Sequence, residues 1–132
     1  MVKFSMNILQ ANKVSSNIVY KPEELERIYK KAKKNKKEIG FKILNNIDEL
    51  DQDTITDKPF TNEIKNFSFE LLEDSLRVNI DILKKSDFYK KLQENDYFAL
   101  AVGEGEVSDD TKTVSDYELK YIVIVPNNKS KE

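Results

Sequence analysis

The sequence predicts an α+β domain built on a curved, mainly antiparallel sheet or a small β-barrel. Three observations carry that expectation. Apolar and polar residues alternate in several separate stretches, the period of a strand with one buried face. A long helical period occurs clearly in one segment. Neighbouring strand segments are separated by short polar turns. With 132 residues, 39% of them hydrophobic, the chain has room for one ordinary domain and one core. That domain is expected over residues 1–126, with 127–132 as a frayed tail.

The elements follow in order. Val2, Phe4, Met6 and Ile8 alternate as a first strand. Residues 10–21 are rich in Asn and Ser and read as a loop. Pro22 suits the first turn of a helix, with Glu23, Glu24 and Glu26 near the positive end of its dipole. Leu25, Ile28, Tyr29 and Ala32 form its apolar stripe. Lys30, Lys31, Lys33, Lys34, Lys36 and Lys37 crowd the far end, so the main helix is expected over about 22–36. Ile39, Phe41 and Ile43 alternate as a second strand, and residues 45–59 (NNIDELDQDTITDKP) read as a long acidic surface loop.

Phe67, Phe69 and Leu71, then Leu76, Val78, Ile80 and Ile82, flank a short polar turn and read as a β-hairpin. Ser86 suits the N-cap of a short second helix, about 86–94, carrying Phe88, Tyr89 and Leu92 inward. Tyr97–Val102 reads as a strand interrupted by Gly103-Glu104-Gly105. Residues 108–112 form a turn, and Tyr117–Val125 is a long strand stopped by Pro126. Phe69, Leu71, Val78, Ile80, Ile122 and Ile124 are the expected core.

Composition excludes much chemistry. With Cys 0 and His 0 there is no disulfide, no thiol nucleophile, no zinc-finger ligation and no imidazole general base. The formal net charge is −2, from 22 basic and 24 acidic residues, and only Arg27 and Arg77 are arginines. A nucleic-acid reader usually carries a strongly basic face and Arg forks, so no sequence-specific nucleic-acid partner is expected. No apolar run approaches the ~20 residues of a membrane span, so no membrane partner is expected either. Asp51, Asp53 and Asp57 lie near calcium-loop spacing, but Ile55, Thr56 and Asn62 occupy the places that need oxygen, Gly and Glu. Gly103-Glu104-Gly105 lacks the further glycines and following helix of a phosphate loop. Neither a metal nor a cofactor is expected, and no catalytic residue is assigned.

One family resemblance runs from about Met6 to Pro126. Residues 18–25 (IVYKPEEL) enter the first helix. Then 64–71 (IKNFSFEL), 76–83 (LRVNIDIL), 88–92, 100–107 (LAVGEGEV) and 114–125 (VSDYELKYIVIV) follow. In order and spacing these phrases resemble the phage prohead proteases, capsid-maturation serine proteases with a barrel related to herpesvirus assemblins. The resemblance implies a catalytic His within Phe41–Leu50, and this chain has none. It implies a nucleophilic Ser just before the Gly-containing strand, where Leu100 and Ala101 stand. Without hydroxyl and imidazole there is no acyl-enzyme chemistry.

The expected function is therefore that of a non-catalytic bacteriophage structural protein, head-associated, in the virion or the host cytoplasm. Its partners would be other virion proteins or copies of itself. The alternative is a small phage-encoded binding module or inhibitor of a host protein. The candidate interface joins Lys30, Lys31, Lys33 and Lys34 with Asp51, Asp53 and Asp57, which could meet head-to-tail between copies. Ile47, Leu50, Ile55 and Phe60 would supply apolar contact there, unless they fold back onto their own barrel.

Overall fold

The computed structural model describes residues 1–12 and 18–127. Two three-stranded sheets make up the domain. In the first, β1 (Val2–Gln10), β4 (Ser75–Ile82) and β3 (Ile64–Leu71) lie in the order β1-β4-β3, all antiparallel. In the second, β2 (Gly40–Ile43), β6 (Val114–Pro126) and β5 (Tyr97–Val107) lie in the order β2-β6-β5. Here β5 is antiparallel to β6, and β2 is parallel to it. The α+β class holds, but the sheets do not close into a barrel. The edge strands β1 and β5 pack side by side, and no ladder joins them among the described residues. Single parallel bridges, Ala11 with Tyr20 and Val19 with Thr113, link the chain between β1 and β6 instead.

Helix α1 (Pro22–Lys34) packs on β6, β3 and β4 and buries Leu25, Ile28 and Ala32. Glu23 and Glu24 occupy its first turn, and Lys31, Lys33 and Lys34 its last, each favoured by the dipole. The helix stops two residues short of the expected end. Asn35 caps it, its N–H donating to Lys31 O at 3.0 Å, and Lys36–Glu38 continue as a 3₁₀ turn. The acidic segment is not all loop: it holds a 3₁₀ turn at Ile47–Glu49 and helix α2 (Gln52–Asp57). Helix α3 (Asp87–Glu94) starts as expected, with Ser86 Oγ accepting from Tyr89 N at 3.1 Å and Phe88 buried.

The strands depart from expectation at two ends. β5 runs through Gly103 and Gly105 to Val107, absorbing the irregularity as register shifts against β6. There Asp116 takes a positive φ of 53°, the local kink a bulge requires. β6 begins at Val114, three residues earlier than Tyr117. Of the expected core, Phe69, Val78, Ile80, Ile122 and Ile124 are buried, whereas Leu71 is half-buried. Leu71 ends β3 at the rim of the hairpin, where it lines a surface groove with Pro22 and Leu25. Asn127, the first residue of the expected tail, donates its N–H to Asp96 O at 2.7 Å. Residues 128–132 lie outside the described residues, as does 13–17 of the expected loop.

The two sheets differ on their outer faces. On the first, Lys3 faces Asp81, Ser5 faces Asn79, and Asn7 and Glu70 flank Arg77. Ser5 Oγ donates to Asn79 Oδ1 at 2.5 Å, and Arg77 lies 3.8 Å from Glu70. That face is polar and solvated. On the second sheet both faces are apolar, the pattern of strands covered twice. Phe41, Ala99, Ile122 and Ile124 point into the core. Leu44, Val123 and Val125 point the other way, with Phe98, Leu100, Val102 and Tyr121 around them.

Candidate interface on the second sheet

The segment between β2 and β3 lies over this second apolar face. Ile47 and Ile55 pack onto the Leu44–Val123–Val125 cluster and are half-buried. These two residues fold back onto their own sheet, the alternative to serving as exposed contacts. Leu50 and Phe60 stay more open to solvent, at 38% and 59% exposed.

Three groups fix the segment. Asp51 caps α2, its carboxylate accepting from Thr54 N and Thr54 Oγ1, both at 2.8 Å. Those bonds hold its acid below the ordinary carboxylate value. Lys58 pairs with Glu49 at 3.7 Å. The third group is Lys42, which alternation within β2 assigns to solvent but which is 6% exposed. Its Nζ donates to Ile55 O at 2.9 Å and Thr56 O at 3.3 Å, the carbonyl end of α2. It also stands 5.0 Å from the centre of the Phe60 ring and 4.5 Å from that of Tyr121. Two carbonyls and two π faces thus replace the water that a buried ammonium loses.

Phe60 is seated by a further contact. Its ring meets Tyr121 edge-on at 5.7 Å and lies over Gly40, where a Cβ would come within 2.7 Å of it. Gly40 therefore leaves the space that the ring occupies.

The lysines of α1 sit on a helix that packs against the core-facing cluster, not on this outer face. Lys30, Lys31, Lys33 and Lys34 are exposed. Lys30 pairs with Glu26 at 3.2 Å, and Lys33 sits 5.1 Å over Tyr29. Lys36 sits 5.1 Å over Phe67, Phe67 meets Phe41 at 4.8 Å, and Phe41 O accepts from Thr61 N at 2.8 Å. These contacts run through the core-facing Phe41 and Phe67, so they do not set the lysine-rich end on the outer face that carries Phe60. Asp53 and Asp57 are exposed and make no ion pair among the described residues, so the two signs of charge are not neutralised against each other there. Lys42, Tyr121 and Gly40 were missed by sequence reasoning. The uninterrupted apolar run Tyr121–Val125 was the available signal that this sheet has two covered faces.

The positions that the protease resemblance would make catalytic lie elsewhere. Ala101 lines a cavity of about 350 Å³ with Ile18, Tyr20, Gly103, Val107 and Tyr117. Leu100 faces the outer cluster and Phe41 the core. The ionisable groups in the cavity wall are Tyr20 and Tyr117, whose phenols burial raises above their ordinary value, so both stay neutral at neutral pH. Beside them Arg27 bonds Glu24 and Tyr117 O at 2.6 Å, while Glu24 accepts from Tyr117 N at 2.9 Å. This node ties α1 to β6 and presents no nucleophile to the cavity. Among the described residues no group of three acidic side chains is placed to hold a metal, and no helix is long and apolar enough to cross a membrane. Comparison with family models, curated proteins and solved structures finds no match to this chain.

Proposed function

We propose that this chain is a non-catalytic structural protein that works by protein–protein contact, head-associated in a bacteriophage as the resemblance to prohead proteases implies. The observation that carries the contact role is the outer face of the second sheet. There an aromatic side chain more than half exposed is held on a prepared seat by Gly40, Lys42 and Tyr121. An exposed aromatic with restricted freedom loses little entropy on docking, the property of interface anchors. The non-catalytic role is supported by a composition without His or Cys and by Leu100 and Ala101 where a nucleophile is needed.

The test is to purify particles through a density gradient from a host expressing the chain. It should band with the particles at a fixed copy number, and no serine should react with an active-site-directed phosphonate. A chain that stays wholly at the top of the gradient contradicts the structural role. Stoichiometric labelling of one serine contradicts the non-catalytic one.

A further inference from the structure

One face of β5 carries few long side chains. Ala101, Gly103, Gly105 and Val107 stand two residues apart, so all four turn to the same side of the strand. They floor the cavity of about 350 Å³, which Tyr20, Val114 and Tyr117 help to wall. Gly103 lies under the hydroxyl end of Tyr117, and Ala101 and Gly105 leave the floor low on either side. At the outer end Val107 is 44% exposed, a large apolar side chain that the rest of the fold leaves uncovered. Small-molecule sites have volumes of about 300–1,000 Å³, apolar walls and a few converging polar groups. This cavity falls at the lower end of that range, the size for a molecule of one or two rings.

Its polar groups are two phenols. Tyr20 and Tyr117 meet edge-on, with ring centres 5.6 Å apart. Their hydroxyls interact with each other and with no other hydrogen-bonding group among the described residues. Such a pair uses one O–H and leaves the second without an acceptor. Among the described residues no charged side chain lines the cavity. Glu24 and Arg27 bond each other and the Tyr117 backbone, and Glu104 and Glu106 turn to the opposite side of β5. An ion would lose its water here without gaining a partner. A ring gains an edge or face contact with the tyrosine pair. From this we infer that the cavity binds a small, neutral aromatic molecule carrying one hydrogen-bond acceptor. The ring lies over Ala101 and Gly105, and the acceptor takes the spare O–H of Tyr20 and Tyr117. This site goes beyond the contact role proposed above and does not depend on it.

Titration of the full, isotope-labelled chain tests it by amide NMR with three probes. Acetophenone, a ring with one carbonyl acceptor, should shift the Ala101, Gly105 and Val107 amides saturably, half-complete at or below about 1 mM. Toluene, a ring without an acceptor, should shift the same amides. Benzoate, the charged analogue, should leave them in place at about 1 mM. Two variants locate the site, each first shown to fold by circular dichroism and melting. Ala101→Leu fills the floor and should weaken both neutral probes by about tenfold or more. Tyr20→Phe with Tyr117→Phe keeps both rings and removes both hydroxyls. It should weaken acetophenone about threefold to tenfold and leave toluene unchanged.

No saturable shift up to about 10 mM acetophenone overturns the inference. Shifts centred on Phe60 or Val123 overturn it too, because they place the probe on the outer face. Benzoate binding as tightly as acetophenone contradicts a neutral ligand. Equal losses of acetophenone and toluene in the double tyrosine variant, or no loss of either, contradict the hydroxyl pair as the donor. If Ala101→Leu fails to fold, the double tyrosine variant, which keeps both rings in the wall, still decides.

Discussion

The ammonium of Lys42 is 5.0 Å from the centre of the Phe60 ring and 2.9 Å from the Ile55 carbonyl oxygen, so one side chain holds both the exposed aromatic and the helix beside it. Lys42→Met keeps the length of the stem and removes the charge. It leaves two carbonyls without their donor and two rings without their cation. Charge-assisted bonds of this kind contribute about 1.5–3 kcal/mol, and urea unfolding should show a loss of that size. Amide exchange in α2 should accelerate more than in β4. A loss under about 0.5 kcal/mol would mean that Lys42 is a bystander.

Glu24 sets a pH dependence. Burial opposes its charge, but hydrogen bonds from Arg27 and from Tyr117 N–H, with the charges of Arg27 and Lys31, outweigh burial and hold it below its ordinary value of 4.5. A carboxyl depressed in the folded state contributes stability above its unfolded pKa and loses it as pH falls through the folded value. Glu24→Gln should therefore cost stability at pH 7, and that cost should shrink as the acid titrates below about pH 4.5. Equal costs at neutral and acid pH would show that the carboxylate's charge does no work there.

Core substitutions separate two neighbours on β3. Phe69 is 7% exposed and meets Phe67 edge-on at 5.7 Å. Phe69→Ala should cost about 3–5 kcal/mol. Leu71, half-buried at the hairpin rim, should cost only about 1–2 kcal/mol as Ala. Chemical denaturation of both variants checks the order, and the reverse order would place the wrong residue inside.

Gly103 is required by strand approach. A Cβ there would meet the Glu118 carbonyl oxygen and come within 2.8 Å of the Tyr117 hydroxyl. The backbone oxygen cannot step aside as a side chain can. Gly103→Ala should destabilise by about 1–3 kcal/mol, read from the melting curve. An unchanged melting temperature would show that the β5–β6 bulge relaxes freely.

Much of the fold was legible because its signals are local. The β3–β4 hairpin alternates apolar and polar residues from Phe67 to Leu71 and from Leu76 to Ile82, and its outer residues, Asn79 and Asp81 among them, are polar. Pro22, the acidic first turn and the lysine-rich last turn mark α1 at both ends. What was not legible depends on contacts across the chain. Lys42 sits between Phe41 and Ile43, so alternation assigns it to solvent; it is buried because residues 55–60 fold over it. Ile47 and Ile55 are diluted among acids, and α2 has only six residues, too few for a helical period to emerge. Closure of a barrel depends on whether β1 hydrogen-bonds to β5 and β3 to β2, which no local pattern encodes. Of the candidate interface, Leu50, Phe60 and the two charged groups were visible as residue types; the seat that Gly40, Lys42 and Tyr121 make for Phe60 was not.

Deleting Asp51–Asp57 would be a poor probe of the interface, because it removes the acceptors of Lys42 and the Ile55 cover over Val123 and Val125. Point charges on the two outer faces give a cleaner contrast. The most direct measurement is therefore the copy number in purified particles of Phe60→Asp beside Ser68→Asp, each first shown to be folded. Ser68 is exposed on the polar face of the first sheet, opposite Asn79. The expected result is loss of Phe60→Asp from particles, by about tenfold or more, with Ser68→Asp present at the normal level. Equal incorporation of the two variants would contradict the claim that the Phe60 face makes the contact.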